Sequence, residues 1–330
     1  IGYGSGNNIE MKKELNFPHS VGLLYSAFTY FLGFTVNSGE YKLMGLAPYG
    51  KPIYKKVILE NLIHLKEDGS FRLNQHYFNY NKGLTMINSK FESLFGSKAR
   101  IPDIEKISQF HMNIASSIQS VMELIVLKIC KSLKKEYNIE NLCLAGGVAL
   151  NCVINGKILN TNLFKNIWIQ PASGDSGGSL GAALAKYYLE LNKPRKEELN
   201  DSMKGSLLGP SFSETEIESQ LSEINADFKK YPIEKIIEIT AKSISKGKFV
   251  GWFQGRMEFG PRSLGNRAIL ADPRFSDTQK NLNLKIKFRE SFRPFAPSIL
   301  VENLNDFFNL KCESPYMLLV DKIISSQRKS

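Results

Sequence analysis

The feature that most constrains the fold is a pattern found twice in the middle of the chain. A short apolar strand ends in glycines or small residues and leads into a helix. Residues 141–151, Asn-Leu-Cys-Leu-Ala-Gly-Gly-Val-Ala-Leu-Asn, form the first copy. In the second copy, residues 167–171 predict a strand, 172–178 a loop and 180–191 a helix. This alternation predicts an α/β fold in which both loops lie at the sheet edge where ligands and phosphates bind.

Two apolar stretches outside this pattern predict core helices. Isoleucines recur at three- and four-residue steps through residues 103–137 and predict a long amphipathic helix. Within it, we expect His111 to be a hydrogen-bonded residue at the edge of the core rather than a metal ligand. The apolar stretch 21–36 is shorter than a membrane span, which needs about 20 residues, so we predict a core helix there.

A polar stretch rich in lysine and glutamate, residues 192–204, predicts a linker. We therefore place a boundary near residue 205, between domains 1–205 and 206–330. Beyond the boundary, a capping box and apolar periodicity predict helices over 213–224 and 233–245 and a strand over 249–253.

The chain carries a formal net charge of +11. Nucleic acid, an anionic membrane surface and phosphorylated small molecules are all candidate partners for such a charge. Residues 255–293 contain nine basic and four acidic side chains, so they supply +5 of that charge. The four cysteines form no Cys-x-x-Cys pair, which argues against a disulfide framework or zinc module and suits a reducing cytoplasm.

The two small-residue loops carry candidate ligand-binding side chains. Gly146 and Gly147 allow close backbone approach, and Asn151 can offer an amide to a ribose or phosphate, although a tight strand-to-helix turn explains the same residues. Asp175 either caps the following helix or serves a metal or nucleotide phosphate. Glu40 and Lys42 form either a solvated charge pair or an acid/base and donor-binding pair, and their spacing does not decide between these.

The richest basic element is the segment 255–267, where Arg256, Arg262 and Arg267 stand among glycines and a proline. Several guanidinium groups can then converge on one phosphate or carboxylate. Residues 285–293 add further cations, which include Lys285, Lys287 and Arg289. An ordinary solvated basic face and nucleic-acid binding, with phenylalanines stacking on bases, are the alternatives.

Together these segments resemble the carbamoyltransferase family of the NodU-type nodulation-factor enzymes and the antibiotic carbamoyltransferases. The resemblance covers nearly the whole chain. It lies in six ordered blocks: Phe-Pro-His-Ser-Val-Gly-Leu-Leu-Tyr-Ser-Ala-Phe-Thr at 17–29, Gly-Glu-Tyr-Lys-Leu-Met-Gly-Leu-Ala-Pro-Tyr-Gly at 39–50, Leu-Ala-Gly-Gly-Val-Ala-Leu-Asn at 144–151, Pro-Ala-Ser-Gly-Asp-Ser-Gly-Gly at 171–178, the arginine element at 256–267, and Phe-Arg-Glu-Ser-Phe-Arg-Pro-Phe-Ala-Pro at 288–297.

The resemblance implies part of an actin/Hsp70-like (ASKHA) domain followed by part of a YrdC-like α/β domain. The YrdC-like part would make carbamoyl-adenylate from carbamoyl phosphate and ATP. The ASKHA-like part, with an iron ion (Fe²⁺), would pass the carbamoyl group to a hydroxyl and release AMP. Mg²⁺ is a further expected cofactor.

By position in the family motifs, Asp175 would be an iron ligand and a catalytic residue. Glu40 and Lys42 would be further catalytic residues near the adenylate, which Gly146, Gly147 and Asn151 would hold. The anions of ATP and carbamoyl phosphate would bind the basic residues Arg256, Arg262, Arg267, Lys285, Lys287 and Arg289.

The family's His-x-x-x-His element and its C-terminal Asn-Thr-Ser-Phe-Asn stretch are absent from this sequence. We therefore expect the chain to be a fragment or a trimmed form of a cytoplasmic enzyme, so its activity in isolation is an open question. The expected acceptor is a hydroxyl group of a small molecule or sugar. A homodimer is a further possible assembly, and no membrane partner is expected. An ASKHA-type sugar kinase or ATPase and a basic nucleic-acid-binding module are the alternative functions.

Overall fold

The computed structural model describes residues 1–195, 201–310 and 312–328. These residues form two compact units. The N-terminal unit is Ile1–Arg195 with Leu318–Val320, and the C-terminal unit is drawn from Lys196–Met317 and Asp321–Ser330. The predicted linker falls partly outside the described residues, at 196–200. The assignment of the two domains to residues 1–205 and 206–330 stays a prediction.

Both units contain helices and short strands. The helices are α1 (Val21–Phe31), α2 (Glu40–Leu46), α3 (Lys55–Asn61), α4 (Ser89–Phe95), α5 (Gln109–Tyr137), α6 (Cys152–Asn160), α7 (Asp175–Ala185), α8 (Glu214–Glu223), α9 (Ile233–Ser245), α10 (Thr278–Asn281) and α11 (Leu304–Phe307). The strands are β1 (Gly2–Ser5), β2 (Asn8–Met11), β3 (Ile63–Leu65), β4 (Phe71–Leu73), β5 (Asn141–Leu144), β6 (Asn166–Ile169), β7 (Val250–Phe253) and β8 (Arg267–Leu270).

The described residues form four two-stranded sheets, and three of these are antiparallel: β1–β2, β3–β4 and β7–β8. The fourth pairs β5 with β6 in parallel, from Asn141 opposite Asn166 to Leu144 opposite Ile169. Helix α6 makes the crossover that two parallel strands require. The mixed α/β class and the repeated strand–loop–helix pattern predicted from the sequence are therefore confirmed.

The core of the N-terminal unit forms around α5, which packs against α1, α2, α3 and α6. Helix α5 is long and apolar enough to cross a membrane by length and composition, but 56% of its most apolar window is buried inside the unit. It is a core helix. The apolar stretch near residue 21 forms α1, and its side chains Leu24, Ala27 and Phe28 are fully buried, as predicted.

Helix α5 begins at Gln109, six residues after the predicted start at 103. The predicted start was wrong because Ser108 and His111 form a reciprocal capping box that fixes the helix end. The His111 ring accepts a hydrogen bond from the Ser108 backbone N–H at 3.1 Å, which confirms His111 as a satisfied residue.

In the C-terminal unit, α8 begins behind the predicted capping box of Ser213 and Glu216, and α9 has the predicted bounds. These two helices and the strand β7 confirm the elements predicted after the linker.

Phenylalanine side chains fill the space between α1 and α4. The ring of Phe91 is fully buried and lies 5.1 Å from Phe28, 5.3 Å from Phe31 and 5.2 Å from Phe95, measured between centroids. Offset and edge-to-face contacts of this kind add to the free energy of burial.

We predict that Phe91→Ala lowers the free energy of unfolding by about 3–5 kcal/mol, because it removes a buried ring and leaves a cavity. Urea unfolding at equilibrium measures this change. Leu84→Ala is the matched control, since Leu84 is fully exposed in the same unit and should change stability by less than about 0.5 kcal/mol. Equal losses in the two variants would contradict the aromatic core.

Candidate functional site

The two loops that follow β5 and β6 meet at one edge of the parallel strand pair. The Gly146 backbone N–H donates a hydrogen bond to the Ser173 carbonyl oxygen at 2.8 Å, which joins the loops directly. The Gln170 N–H donates to the Leu144 carbonyl oxygen at 3.1 Å and extends the strand pairing to the loop. The structure thus brings together the glycine loop and the Asp175 loop.

The glycine loop (Gly146–Leu150) leaves its backbone open on one side. Gly146 has φ of 92°, a conformation that L side chains rarely adopt. Both Gly146 and Gly147 are exposed, and a Cβ atom at either position would meet nothing within 4 Å among the described residues. A ligand can therefore approach this backbone closely.

Asn151 lies beneath the glycine loop as the N-cap residue of α6, and it is 8% exposed. Its Oδ1 accepts from the Ile154 backbone N–H at 3.2 Å. Its Nδ2 donates to Oε1 of Gln119 at 2.9 Å, and Nε2 of Gln119 donates back to Asn151 Oδ1 at 3.2 Å. Asn151 therefore meets a reciprocal amide partner on α5 that the sequence analysis did not identify.

The signal for this partner was present in the sequence. Gln119 and Glu123 are polar residues four positions apart within the apolar stripe of α5, between fully buried residues such as Ile118 and Val121. Buried polar side chains in such a stripe are generally hydrogen-bonded. The pairing of Gln119 with Asn151 depends on the tertiary fold, which helical periodicity does not predict.

Glu40 and Lys42 lie at the beginning of α2. The Glu40 carboxylate accepts hydrogen bonds from the Ser26 hydroxyl at 2.7 Å and from the Asn37 backbone N–H at 3.1 Å. The Lys42 ammonium group lies 5.7 Å from the centroid of the Phe34 ring. The predicted catalytic roles of Glu40 and Lys42 stay predictions.

Side chains of helix α1 form hydrogen bonds both to Glu40 and to Gln119, the partner of Asn151. Tyr25 donates its phenolic O–H to Oε1 of Gln119 at 2.9 Å, while the next residue, Ser26, holds Glu40. Burial first, and then the nearby Glu40 carboxylate, raise the pKa of Tyr25 well above its ordinary value. The phenol accordingly stays protonated and available as a donor.

Asp175 is the first residue of α7, not part of the preceding loop as predicted, and its side chain is exposed. Gly174 takes the N-cap position in an extended conformation and contributes no side-chain hydrogen bond. The Asp175 carboxylate makes no hydrogen bond or ion pair within the part of the chain that the structure describes. A carboxylate in the first turn suits the helix dipole, and this one is open to a ligand or cation.

Gly177 holds the turn into α7 in its observed shape. A Cβ atom there would lie 2.0 Å from the Ala172 carbonyl oxygen, which is part of the backbone and cannot move aside cheaply. At the adjacent Gly178, an added Cβ would meet nothing within 4 Å.

We predict that Gly177→Ala lowers the free energy of unfolding by about 1–3 kcal/mol, because the loop must shift to relieve the clash. The matched variant Gly178→Ala should be neutral or gain up to about 1 kcal/mol from its better helix propensity. Thermal and urea unfolding of both variants measure the difference. Similar stability of the two variants would show that the turn tolerates a side chain at Gly177.

In the C-terminal unit, the arginine segment (255–267) is organised by Glu258, a residue the sequence analysis did not identify as important. Its carboxylate accepts from the backbone N–H groups of Leu264 at 2.9 Å and Asn266 at 2.8 Å, and from Nε of Arg267 at 3.0 Å. Burial opposes ionisation, but these hydrogen bonds outweigh it and lower the pKa of Glu258 to about 2.

The predicted anion-binding arginines have different surroundings. Arg256 is exposed and donates to the Gly209 carbonyl oxygen at 2.9 Å, while Arg267 is paired with Glu258. Arg262 is half-buried in the same segment. The structure therefore keeps all three in one folded segment, in which Arg256 and Arg267 donate to protein oxygens.

The second predicted basic group follows α10. Arg289 lies 4.8 Å from the centroid of the Phe295 ring and donates to Oδ1 of Asn283 at 2.7 Å. Desolvation, and then the like charges of Arg289 and Arg293, lower the pKa of Lys287. Lys285 and Lys287 are exposed. Cations close enough to disfavour one another's charge are stabilised by an anion bound between them.

We predict that Glu258→Gln lowers the free energy of unfolding at neutral pH by about 2 kcal/mol, because buried donors lose a charged acceptor. Since the folded pKa is depressed, the contribution of Glu258 is present above its ordinary pKa of 4.5 and is lost as the pH falls through about 2. The difference between wild type and variant should therefore shrink as the pH falls below 4.5.

Urea unfolding at neutral and acidic pH, followed by tryptophan fluorescence, measures this difference. Glu234→Gln is the control, because Glu234 is an exposed residue of α9 and its neutralisation should leave both stability and pH dependence nearly unchanged. A pH-independent gap between wild type and Glu258→Gln would contradict the assigned role.

Iron is the metal that the family resemblance implies, with Asp175 as its predicted ligand. Among the described residues, no group of three or more His, Cys, Asp or Glu side chains is placed to hold a metal ion. A protein-held transition-metal site usually needs about three or four such ligands. These residues by themselves do not fit an iron ion.

The fold and the joined loops define the class of the molecule: a mixed α/β protein with its candidate ligand-binding loops at one end of two parallel strands. A family model for the carbamoyltransferase N-terminus matches residues 3–184. A second model, for the carbamoyltransferase C-terminus, matches residues 241–330. The chain belongs to the carbamoyltransferase family, which confirms the resemblance found in its motifs.

The chain is similar to several proteins with curated descriptions, among them the following three. An uncharacterized protein of Synechocystis sp. is 55% identical over 319 residues, 96% of this chain and 52% of the relative. The nodulation protein NolNO of Sinorhizobium fredii is 37% identical over 329 residues, 98% of this chain and 46% of the relative. The 3'-hydroxymethylcephem-O-carbamoyltransferase of Amycolatopsis lactamdurans is 31% identical over 185 residues, 56% of this chain and 33% of the relative.

The chain spans about half the length of the first of these curated relatives.

Proposed function

We propose that the protein is an O-carbamoyltransferase that uses carbamoyl phosphate and ATP. The observation that carries this proposal is the match of both halves of the chain to carbamoyltransferase models, over residues 3–184 and 241–330. One relative bears the name of an O-carbamoyltransferase. The acceptor we propose is a hydroxyl group of a small molecule or sugar.

The proposed reaction has two steps. Carbamoyl phosphate, water and ATP first give carbamoyl-adenylate, phosphate and pyrophosphate. The acceptor oxygen then attacks the carbamoyl carbon, the bond to AMP breaks, and the hydroxyl proton is lost. A carbamoyl-adenylate is labile in water, so an enzyme that excludes water from it preserves the intermediate.

We assign the first step to the C-terminal unit as part of a YrdC-like domain. Positive charge close to the phosphates stabilises the charge that develops on pyrophosphate as it leaves. Support comes from the cations around Lys287, whose pKa is lowered by desolvation and then by Arg289 and Arg293, and from the arginine segment that Glu258 folds.

We assign the second step to the N-terminal unit as part of an ASKHA domain. The exposed backbone at Gly147 and the beginning of α7 would offer N–H groups to the adenylate phosphate. In this proposal Asp175 faces the same ligand, with Glu40 and Lys42 nearby. The described residues do not complete an iron site, and the proposal gives no step to a metal.

The test uses the full-length natural protein with ATP and ¹⁴C-labelled carbamoyl phosphate. We predict that Arg262→Ala lowers the rate of pyrophosphate release at least about 100-fold, because it removes a guanidinium group from the proposed phosphate site. Lys229→Ala is the control; it removes an exposed cation from the same unit and should leave the rate unchanged.

The products separate the rival functions. A sugar kinase or ATPase would release ADP and would not need carbamoyl phosphate. A nucleic-acid-binding module would bind DNA or RNA with a steep salt dependence and would release no pyrophosphate. If Arg262→Ala releases pyrophosphate at the wild-type rate, Arg262 does not bind the phosphates in this step and the arginine segment has another role.

A further inference from the structure

A chain of buried polar side chains links the centre of α5 to the glycine loop. Lys157 of α6 pairs with the Glu123 carboxylate, and Glu123 accepts from Nε2 of Gln119 at 3.3 Å. Gln119 exchanges hydrogen bonds with Asn151 and accepts from Tyr25. We infer that Gln119 is a positioning residue that sets the direction of the Asn151 amide and thereby the shape of the glycine loop. This inference rests on the proposed function of that loop.

The charge of Glu123 fixes the orientation of the Gln119 amide. An ionised carboxylate only accepts hydrogen bonds, so the NH₂ group of Gln119 must face Glu123. Its oxygen then faces the Tyr25 hydroxyl and Nδ2 of Asn151, both of which donate to it at 2.9 Å. The reversed amide would place oxygen against oxygen at Glu123. The ion pair therefore sets the direction of every bond up to Asn151.

Because these side chains are buried, breaking their hydrogen-bond arrangement lowers the stability of the protein. Tyr25 and Gln119 are each 5% exposed, Asn151 is 8% exposed and Glu123 is 9% exposed. A buried polar group that loses its hydrogen-bond partner lowers stability by about 1–3 kcal/mol. A buried network with unsatisfied members is therefore less stable than an apolar core of the same shape. Leucine is similar in size to glutamine and would fill the space at residue 119 beside the apolar residues of α5. Packing alone therefore does not require glutamine there.

The last link runs from Asn151 to the loop. Asn151 caps α6 and donates its backbone N–H to the Val148 carbonyl oxygen at 3.0 Å. The Ala149 N–H donates to the Gly146 carbonyl oxygen at 2.9 Å, and Asn155 Nδ2 donates to the Ala149 carbonyl oxygen at 2.8 Å. A change in the Asn151 amide thus alters the support of Gly146 and Gly147.

The decisive variant is Gln119→Glu, which keeps the length of the side chain. When protonated, the introduced carboxyl group can donate to Glu123 and accept from Tyr25 and Asn151, and it lacks only the second donation of glutamine, to Asn151 Oδ1. When ionised, it faces the Glu123 carboxylate. The other titratable or charged groups around it are Lys157 and Cys152 of α6, Tyr25 of α1, and Glu40 of α2 across Ser26.

The probe is AMP, and its Kd is measured by calorimetry on the full-length natural protein at pH 6 and pH 8. Gln119→Glu should bind AMP at least about tenfold more weakly than wild type at pH 8 and recover to within about threefold at pH 6. Gln119→Leu should bind weakly at both pH values, since leucine regains no hydrogen bond. Urea unfolding verifies that each variant is folded under the binding conditions.

Two controls isolate the effect. Gln220→Glu introduces the same charge at an exposed position of α8 and should bind like wild type at both pH values. Tyr30→Phe removes a hydroxyl from α1 outside the network and should also bind like wild type.

Tyr25→Phe, which removes a single donor and preserves packing, should raise the Kd by about fivefold at both pH values.

Wild-type-like binding by Gln119→Glu at pH 8, or a loss that acidification does not reverse, would overturn the positioning role while the proposed function stands. If Gln119→Glu does not fold at pH 8, unchanged AMP affinity in Tyr25→Phe would overturn it. A wild-type protein that neither binds AMP nor transfers a carbamoyl group would overturn the proposed function, and the inference with it.

Discussion

The parallel pairing of β5 with β6 is the interaction on which the rest of the candidate site depends. Parallel neighbours end at the same edge, so the loops after Leu144 and Ile169 start side by side and are joined by the Gly146 to Ser173 hydrogen bond. Both loops then lead into helix N-termini, at α6 and α7. One strand register therefore places the glycine backbone and Asp175 where a single ligand can reach both.

The two units use buried carboxylates in a similar way. Glu258 gathers backbone N–H groups of the arginine segment, and Glu123 orients the amides that lie under the glycine loop. Neither carboxylate needs to touch a ligand. Each holds a loop whose exposed face is the candidate binding surface, so its removal should alter the shape of the loop as well as stability.

The sequence predicted local elements well because their determinants are local. The capping box at Ser213 and the apolar periodicity of α9 depend on residues a few positions apart, and both helices form where predicted. The family motifs likewise identified the loops. The start of α5 was misplaced because isoleucine periodicity continued past the Ser108 cap. Gln119 and Glu258 were missed because their partners come from other turns and elements of the fold.

Charge alone is a poor guide to which cations bind anions. Arg256 donates to a main-chain carbonyl oxygen and Arg267 to Glu258, so part of the positive charge of this segment is used to fold it. Around Lys287, desolvation and then the like charges of Arg289 and Arg293 lower the pKa, although Arg289 donates to Asn283 and Arg293 pairs with Glu290. Repulsion among fixed cations lowers the stability of the protein. A phosphate bound between them relieves that repulsion and so binds more favourably. Arg256 and Arg267 therefore help to shape their own loop, while Arg262 and the cations after α10 are the phosphate contacts of the proposed function.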